Sequence, residues 1–330
     1  MAALIASGLA TAMTGQGPAE TAQRRWPNPW PNTAEQFDQM FAQYSNWGRW
    51  GKDDQIGALN LVTDAKRRQA ASLVKSGISV SMAHIPAIKK SASDKPGMWE
   101  LVMGPGPTRF TSDYQIVRYH GTVAQYSHID ALCGWVYKNK VFNGNIPNTN
   151  PAGCEKLGIE HVKNGIVTRG VLIDIPRLKG LPYLEPHTPV FVEDIEAWEK
   201  KAGVKLTAGD ALFLRTGRTL RDQRTGVPLN ETDFPGFHVS VGPWLRKRDV
   251  AAIGSDIVAD VLPSTVEGIP LSPMHTFITN GLGINLMPQL DLEAVAETAA
   301  KLNRWEFMVT VPPMPVTGAT GSPVNPLAIF

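Results

Sequence analysis

The chain has 330 residues, 43% of them apolar and 19% charged, with a formal charge of +2. That length suits one large domain or two small ones around a sizeable core. The near-neutral balance, with no Lys/Arg run or aromatic–basic alternation, excludes a nucleic-acid partner, and no stretch of about eighteen apolar residues is present to span a membrane.

In chain order, residues 1–13 are Ala-rich and apolar and lead into a small-residue and polar run to Gln23. This reads either as the apolar and cleavage zones of a signal peptide without its charged start, which would export the protein, or as an extension of a cytoplasmic one. Residues 24–32, rich in Trp and Pro, read as an extended arm. Residues 1–45 thus form an N-terminal extension and 46–330 the domain. Helical spacing over 33–44 begins at Thr33, a good cap; a second helix over 64–76 is capped by Asp64 and stops near Gly77. Residues 78–85 alternate as a strand, 89–104 read as a polar loop, and 115–130 as one or two strands. The Asn/Gly/Pro-dense stretch 143–151 is turn chemistry.

Apolar runs at 170–175, 210–215 and 251–257 read as strands, the first two in the pattern of burial on both faces. Helices over 192–203, 242–250 and 292–302 alternate with them, and 307–311 is a last strand before a Pro/Gly-rich tail. No Gly-X-Gly-X-X-Gly follows a strand, and strands outnumber helices in mixed order. The fold class is therefore α+β (mixed α/β) rather than a dinucleotide-binding repeat.

The richest segment is 126–135, YSHIDALCGW. His128 and Asp130 lie two apart, so an extended backbone sends both side chains to one face. Imidazole nitrogen and carboxylate oxygen together suit a Zn²⁺- or Mn²⁺-class ion, although a lone His-X-Asp is more often a hydrogen-bonded pair. His120 shares this parity, but an unbent strand puts it ~26 Å from His128; it shares an ion with His128 only if the chain folds back near Gly121. Cys133 and Cys154 are too few for a disulfide framework and read as buried thiols. Alternation turns Cys133 away from the His128/Asp130 face, which favours burial over a nucleophile activated by His128. Ser255-Asp256 lacks a Gly-X-Ser-X-Gly elbow. His84, His161 and His187 read as structural or surface residues, and Trp26, Trp30, Trp47 and Trp50 either line an apolar pocket or serve packing.

Taken together, the sequence resembles the cyclase, or kynurenine formamidase-like, family, which includes isatin hydrolase and trans-dienelactone hydrolase. The resemblance runs from about Asn46 to the C-terminus. It is carried by 46–63 (NWGRWGKDDQIGALNLVT), 128–133 (HIDALC), 165–174 (GIVTRGVLID), 209–217 (GDALFLRTG), 253–256 (IGSD) and 320–326 (TGSPVNP). The family signature is His-X-Gly-Thr-His-X-Asp-X-Pro-X-His. Here Ala124 stands at the first His, Tyr126 and Ser127 at Gly-Thr, Leu132 at Pro, and Gly134 at the last His, the family's base. His128 and Asp130 match, and His275 fits a later His. The acidic ligand expected about a dozen residues on is missing from Met287-Pro288-Gln289.

The resemblance implies one domain with a central β-rich, barrel-like sheet flanked by helices, assembled as a homodimer or homotetramer and acting on a small-molecule substrate. It implies a hydrolase of a small cyclic amide, lactone or aryl-formamide, with Zn²⁺ or Mn²⁺ held by His128, Asp130 and His275 if the reduced set still binds an ion. His238, after the Pro235-Gly236 turn, is the best substitute for the base missing at Gly134; a loop histidine capping carbonyls is its other reading. The alternatives are a metal-independent lyase, isomerase or cyclase using His128 as general base, polarised by Asp130, and a non-catalytic homologue.

Overall fold

The computed structural model describes residues 31–86, 88, 99–103, 113–117, 126–147, 152–229, 232–269 and 272–330. The signal-like segment, most of the Trp/Pro arm, most of the 89–104 loop, His120 and Ala124 lie outside the described residues. Residues 31–330 form one compact unit.

The chain begins with helix α1 (Ala34–Tyr44) and α2 (Asp64–Ala71), then strands β1 (Ser79–Ser81), β2 (Glu100–Met103), β3 (Asp113–Ile116) and β4 (His128–Asp130). Next come β5 (Ile166–Asp174), α3 (Ile175–Lys179), β6 (Pro189–Val190), α4 (Val192–Ala202), β7 (Ala211–Arg215) and α5 (Arg218–Thr225). The remainder is β8 (Gly236–Phe237), α6 (Val241–Arg248), β9 (Ala252–Ser255), α7 (Pro273–Thr276), β10 (Asn285–Met287), α8 (Glu293–Leu302), β11 (Glu306–Val311), β12 (Gly321–Pro323) and β13 (Leu327–Ile329). The fold is mixed α/β, with a curled seven-stranded half-barrel sheet flanked by helices.

That sheet runs β1-β13-β11-β5-β7-β9-β10. Its β5-β7-β9-β10 half is parallel, and its other pairs are antiparallel. The parallel strands are buried on both faces apart from one residue near the start of β5, as their unbroken apolar runs require, whereas β11 alternates buried and half-buried residues. Phe213 of β7 fits because Gly254, opposite it on β9, and Gly170 on β5 carry no side chain. A Cβ on Gly254 would lie 2.5 Å from its ring, and one on Gly170 3.1 Å.

Local chemistry sets the helix ends. Thr33 caps α1 as expected, its hydroxyl accepting from Gln36 N–H, and Phe37, Met40 and Phe41 enter the core. The cap of α2 is Thr63 rather than Asp64, and the helix stops at Ala71 rather than 76. Thr63 sits in extended backbone where its hydroxyl reaches the Lys66 N–H, which leaves Asp64 in the first turn. Part of the 89–104 loop is strand instead, because β2 pairs in register with β3.

Candidate active site

Strand β4 is short and wholly buried. It pairs antiparallel with β12, Asp130 opposite Gly321 and His128 opposite Pro323, so the closing TGSP segment pins the HIDAL segment. Two further bonds fix the end of β4. Ala131 N–H donates to the Thr320 carbonyl at 2.9 Å, and Asn285 Nδ2, from β10, donates to the Asp130 carbonyl at 2.9 Å.

The Asp130 side chain meets two imidazoles. Its Oδ2 lies 2.9 Å from His275 Nε2, and its Oδ1 lies 3.5 Å from His128 Nε2. All three residues are at most 7% exposed. His128 Nδ1 lies 3.0 Å from the Tyr126 carbonyl, which accepts the Nδ1–H and fixes the tautomer with Nε2 toward Asp130. The Tyr126 ring packs 5.6 Å from His128, and burial followed by the Asp130 charge raises its phenol pKa.

His275 is delivered by α7, with Pro273 at its start and a π-helical turn, Phe277–Gly281, directly after it. The buried Asp260 carboxylate accepts from Met274 N–H at 2.7 Å and His275 N–H at 3.0 Å. Burial pushes Asp260 up to about 7 against the pull of these partners. For His275, burial works against charge. The bonded Asp130, the Asp260 charge and the Val258 carbonyl together prevail and raise its pKa. Its Nδ1 faces that carbonyl without a well-formed hydrogen bond. Trp135 stacks on the imidazole, with ring centroids 4.1 Å apart and planes inclined by 23°.

The fold thus brings together His128, Asp130 and His275, the last of them 145 residues beyond Asp130 in sequence. His238 is fully buried, its Nδ1 is 2.9 Å from Ser240 Oγ, and its ring packs 4.9 Å from Phe191. Burial pushes its pKa down to about 4. Cys133 and Cys154 are not free thiols but a disulfide, because the turn after Asp130 brings their Cα atoms to 6.4 Å. The nucleophile reading of Cys133 is thereby removed. Asp256 accepts from the Thr216, Gly217 and Arg218 N–H groups, a buried capping network rather than a partner of Ser255. His187 and His161 pair with Asp233 and Glu160 nearer the surface, and half-buried His84 faces Thr219. Trp135, Asp260 and Asn285 were not legible as site residues. Their roles arise from contacts 15 to 155 residues distant, which no local pattern encodes.

Among the described residues the donor set falls short of the metal site that the resemblance implies. Among the described residues no group of three or more His, Cys, Asp or Glu is placed to hold one. Asp130 and His275 bond each other directly, position 134 is Gly, and Ala124 supplies no ligand. Near the missing acid, the Gln289 carboxamide oxygen accepts from the Arg218 guanidinium, a cation where a metal site needs an anion.

A sequence profile of the cyclase family matches residues 63–259. No curated protein matches the chain. Among solved structures, a crystal structure described as a novel cyclase is 28% identical, with a TM-score of 0.74 over 88% of this chain and 99% of that one. An isatin hydrolase bound to the product analogue thioisatinate is 17% identical, with a TM-score of 0.53 over 79% of this chain and 94% of that one, a likeness of fold. The order of the matching segments, the half-barrel and the profile agree: the chain belongs to the cyclase family.

Proposed function

We propose that this protein is a hydrolase that opens an acyl bond in a small cyclic amide, lactone or aryl-formamide, using His128, Asp130 and His275 as a metal-free acid–base assembly. The observation that carries the reading is the convergence of two imidazole Nε2 atoms on the two oxygens of one buried carboxylate. His275, with its raised pKa, carries the proton that it donates to Asp130 Oδ2. His128 acts as the base through Nε2, its Nδ1–H being held by the Tyr126 carbonyl. His128 takes a proton from water, and the oxygen adds to the substrate carbonyl. The imidazolium so formed faces Asp130 Oδ1, then returns the proton to the leaving nitrogen or oxygen as the acyl bond breaks. Membership of the cyclase family and the fold shared with an isatin hydrolase support the substrate class.

The low exposure of His128 (7%) and His275 (5%) favours a second reading. The same base can remove a substrate proton without water, as a lyase, isomerase or cyclase requires. The Cys133–Cys154 disulfide favours the exported alternative over a cytoplasmic one, because disulfides persist in oxidising compartments.

The test is turnover of a panel of aryl-formamides, cyclic aryl amides and unsaturated lactones by wild type and His128→Ala. Loss of about 10²–10⁴-fold in kcat is expected for the variant. Wild-type turnover in His128→Ala contradicts the assignment.

A further inference from the structure

A crosslink and an aromatic stack sit two residues apart on the turn that follows Asp130. Cys133 is bonded to Cys154, closing a span of 21 residues. Within its described part, that span holds a Tyr137–Lys140 bridge and one short 3₁₀ turn, Phe142–Gly144. One side of the buried Cys133 borders a cavity of about 320 Å³ shared with Val141, Asn145 and Ile146. Gly134 then contributes no side chain to its own placement. Trp135 follows, its indole flat on His275, its Nε1 donating to Thr276 Oγ1 at 2.7 Å and its carbonyl accepting from Asn280 Nδ2 at 3.2 Å.

We propose that Trp135 is a positioning residue for His275, and that the Cys133–Cys154 disulfide holds Trp135 in place, so that the acid–base site is complete only in the oxidised chain. The inference rests on the reading of His275 as part of that site. A face-on indole restricts rotation of the imidazole and so aims Nε2 at Asp130; its π-face also favours the charged ring. Reduction by a dithiol transfers two electrons and two protons to the disulfide, giving two cysteine thiols and the cyclic disulfide of the reagent. The opened span regains the freedom that the crosslink removed, and the stack loses the covalent one of its anchors, keeping the Thr276 and Asn280 bonds.

The experiment follows His275 by NMR alongside turnover, with its ring-proton signal assigned by comparison with His275→Gln. In oxidised wild type the signal is shifted upfield by the indole ring current. Dithiothreitol, or the Cys133→Ser/Cys154→Ser variant, is expected to return it to an ordinary position and lower kcat about a hundredfold, with KM within about threefold. The cysteine-free variant is expected not to respond to dithiothreitol. In the oxidised chain, Trp135→Ala reproduces both effects, whereas Trp135→Phe keeps a ring on the imidazole and retains the upfield shift and most of kcat. If circular dichroism shows the cysteine-free variant unfolded, the two Trp135 variants and the reduced wild type decide. An unmoved His275 signal on reduction, or wild-type signal and kcat in Trp135→Ala, overturns the proposal. A moved signal with unchanged kcat supports the positioning and contradicts the catalytic role of His275.

Discussion

Asp130 serves two histidines at once: Oδ2 is 2.9 Å from His275 Nε2, and Oδ1 is 3.5 Å from His128 Nε2. The shorter contact is a charge-assisted hydrogen bond; the longer one is an electrostatic contact that strengthens once His128 takes up a proton.

Asp130→Asn keeps the shape and removes the charge. It is expected to lower kcat by as much as about 10⁴-fold, the scale on which a histidine-orienting carboxylate acts. Combined with His128→Ala, the loss should fall well short of the sum of the two in free energy, because the groups act as a unit. Additive losses in the double variant contradict a shared assembly.

His238 sets a pH dependence of stability. Burial holds it near about 4, against about 6.5 in an unfolded chain. Its contribution is fully present above the unfolded value and is lost as pH falls toward the folded one, amounting to about 3 kcal/mol at most. The Tm of His238→Gln is therefore expected to fall less than that of wild type between about pH 7 and about pH 4.5. Parallel Tm curves for the two proteins contradict a buried neutral histidine.

Gly254→Ala tests the packing behind the parallel strands. A Cβ there meets Phe213 at 2.5 and 2.6 Å and Leu290 at 2.8 Å. Overpacking of this kind costs about 1–3 kcal/mol. A wild-type midpoint in denaturant melts would show that the Phe213 ring yields without strain.

Restoring the missing donors with Ala124→His and Pro288→Glu is expected to raise Zn²⁺ or Mn²⁺ affinity, because affinity rises with ligand number and carboxylate charge. Isothermal titration of both proteins checks this. Equal affinity contradicts the view that those two positions limit metal binding.

The parallel strands were legible because Val171, Leu172 and Ile173, and likewise Leu212 to Leu214, are buried on both faces and leave an unbroken apolar run. The His128/Asp130 pair was legible from its spacing, and His275 from the family resemblance. Elements made by tertiary pairing were not: β12 and β13 are three residues each, in a Pro/Gly-rich tail, and exist because β4 and β11 accept them. The disulfide was missed because two cysteines 21 apart carry no signal until the turn after Asp130 is formed. Asp260 likewise acts through backbone N–H groups, which have no sequence signature.

His128, Asp130 and His275 are proposed to work without a metal ion. The direct measurement is kcat on one sample of purified protein before and after exhaustive chelation, with elemental analysis of the same sample. Unchanged kcat in protein shown to be metal-free is predicted. Loss of turnover on chelation, restored by one equivalent of Zn²⁺ or Mn²⁺, would contradict it.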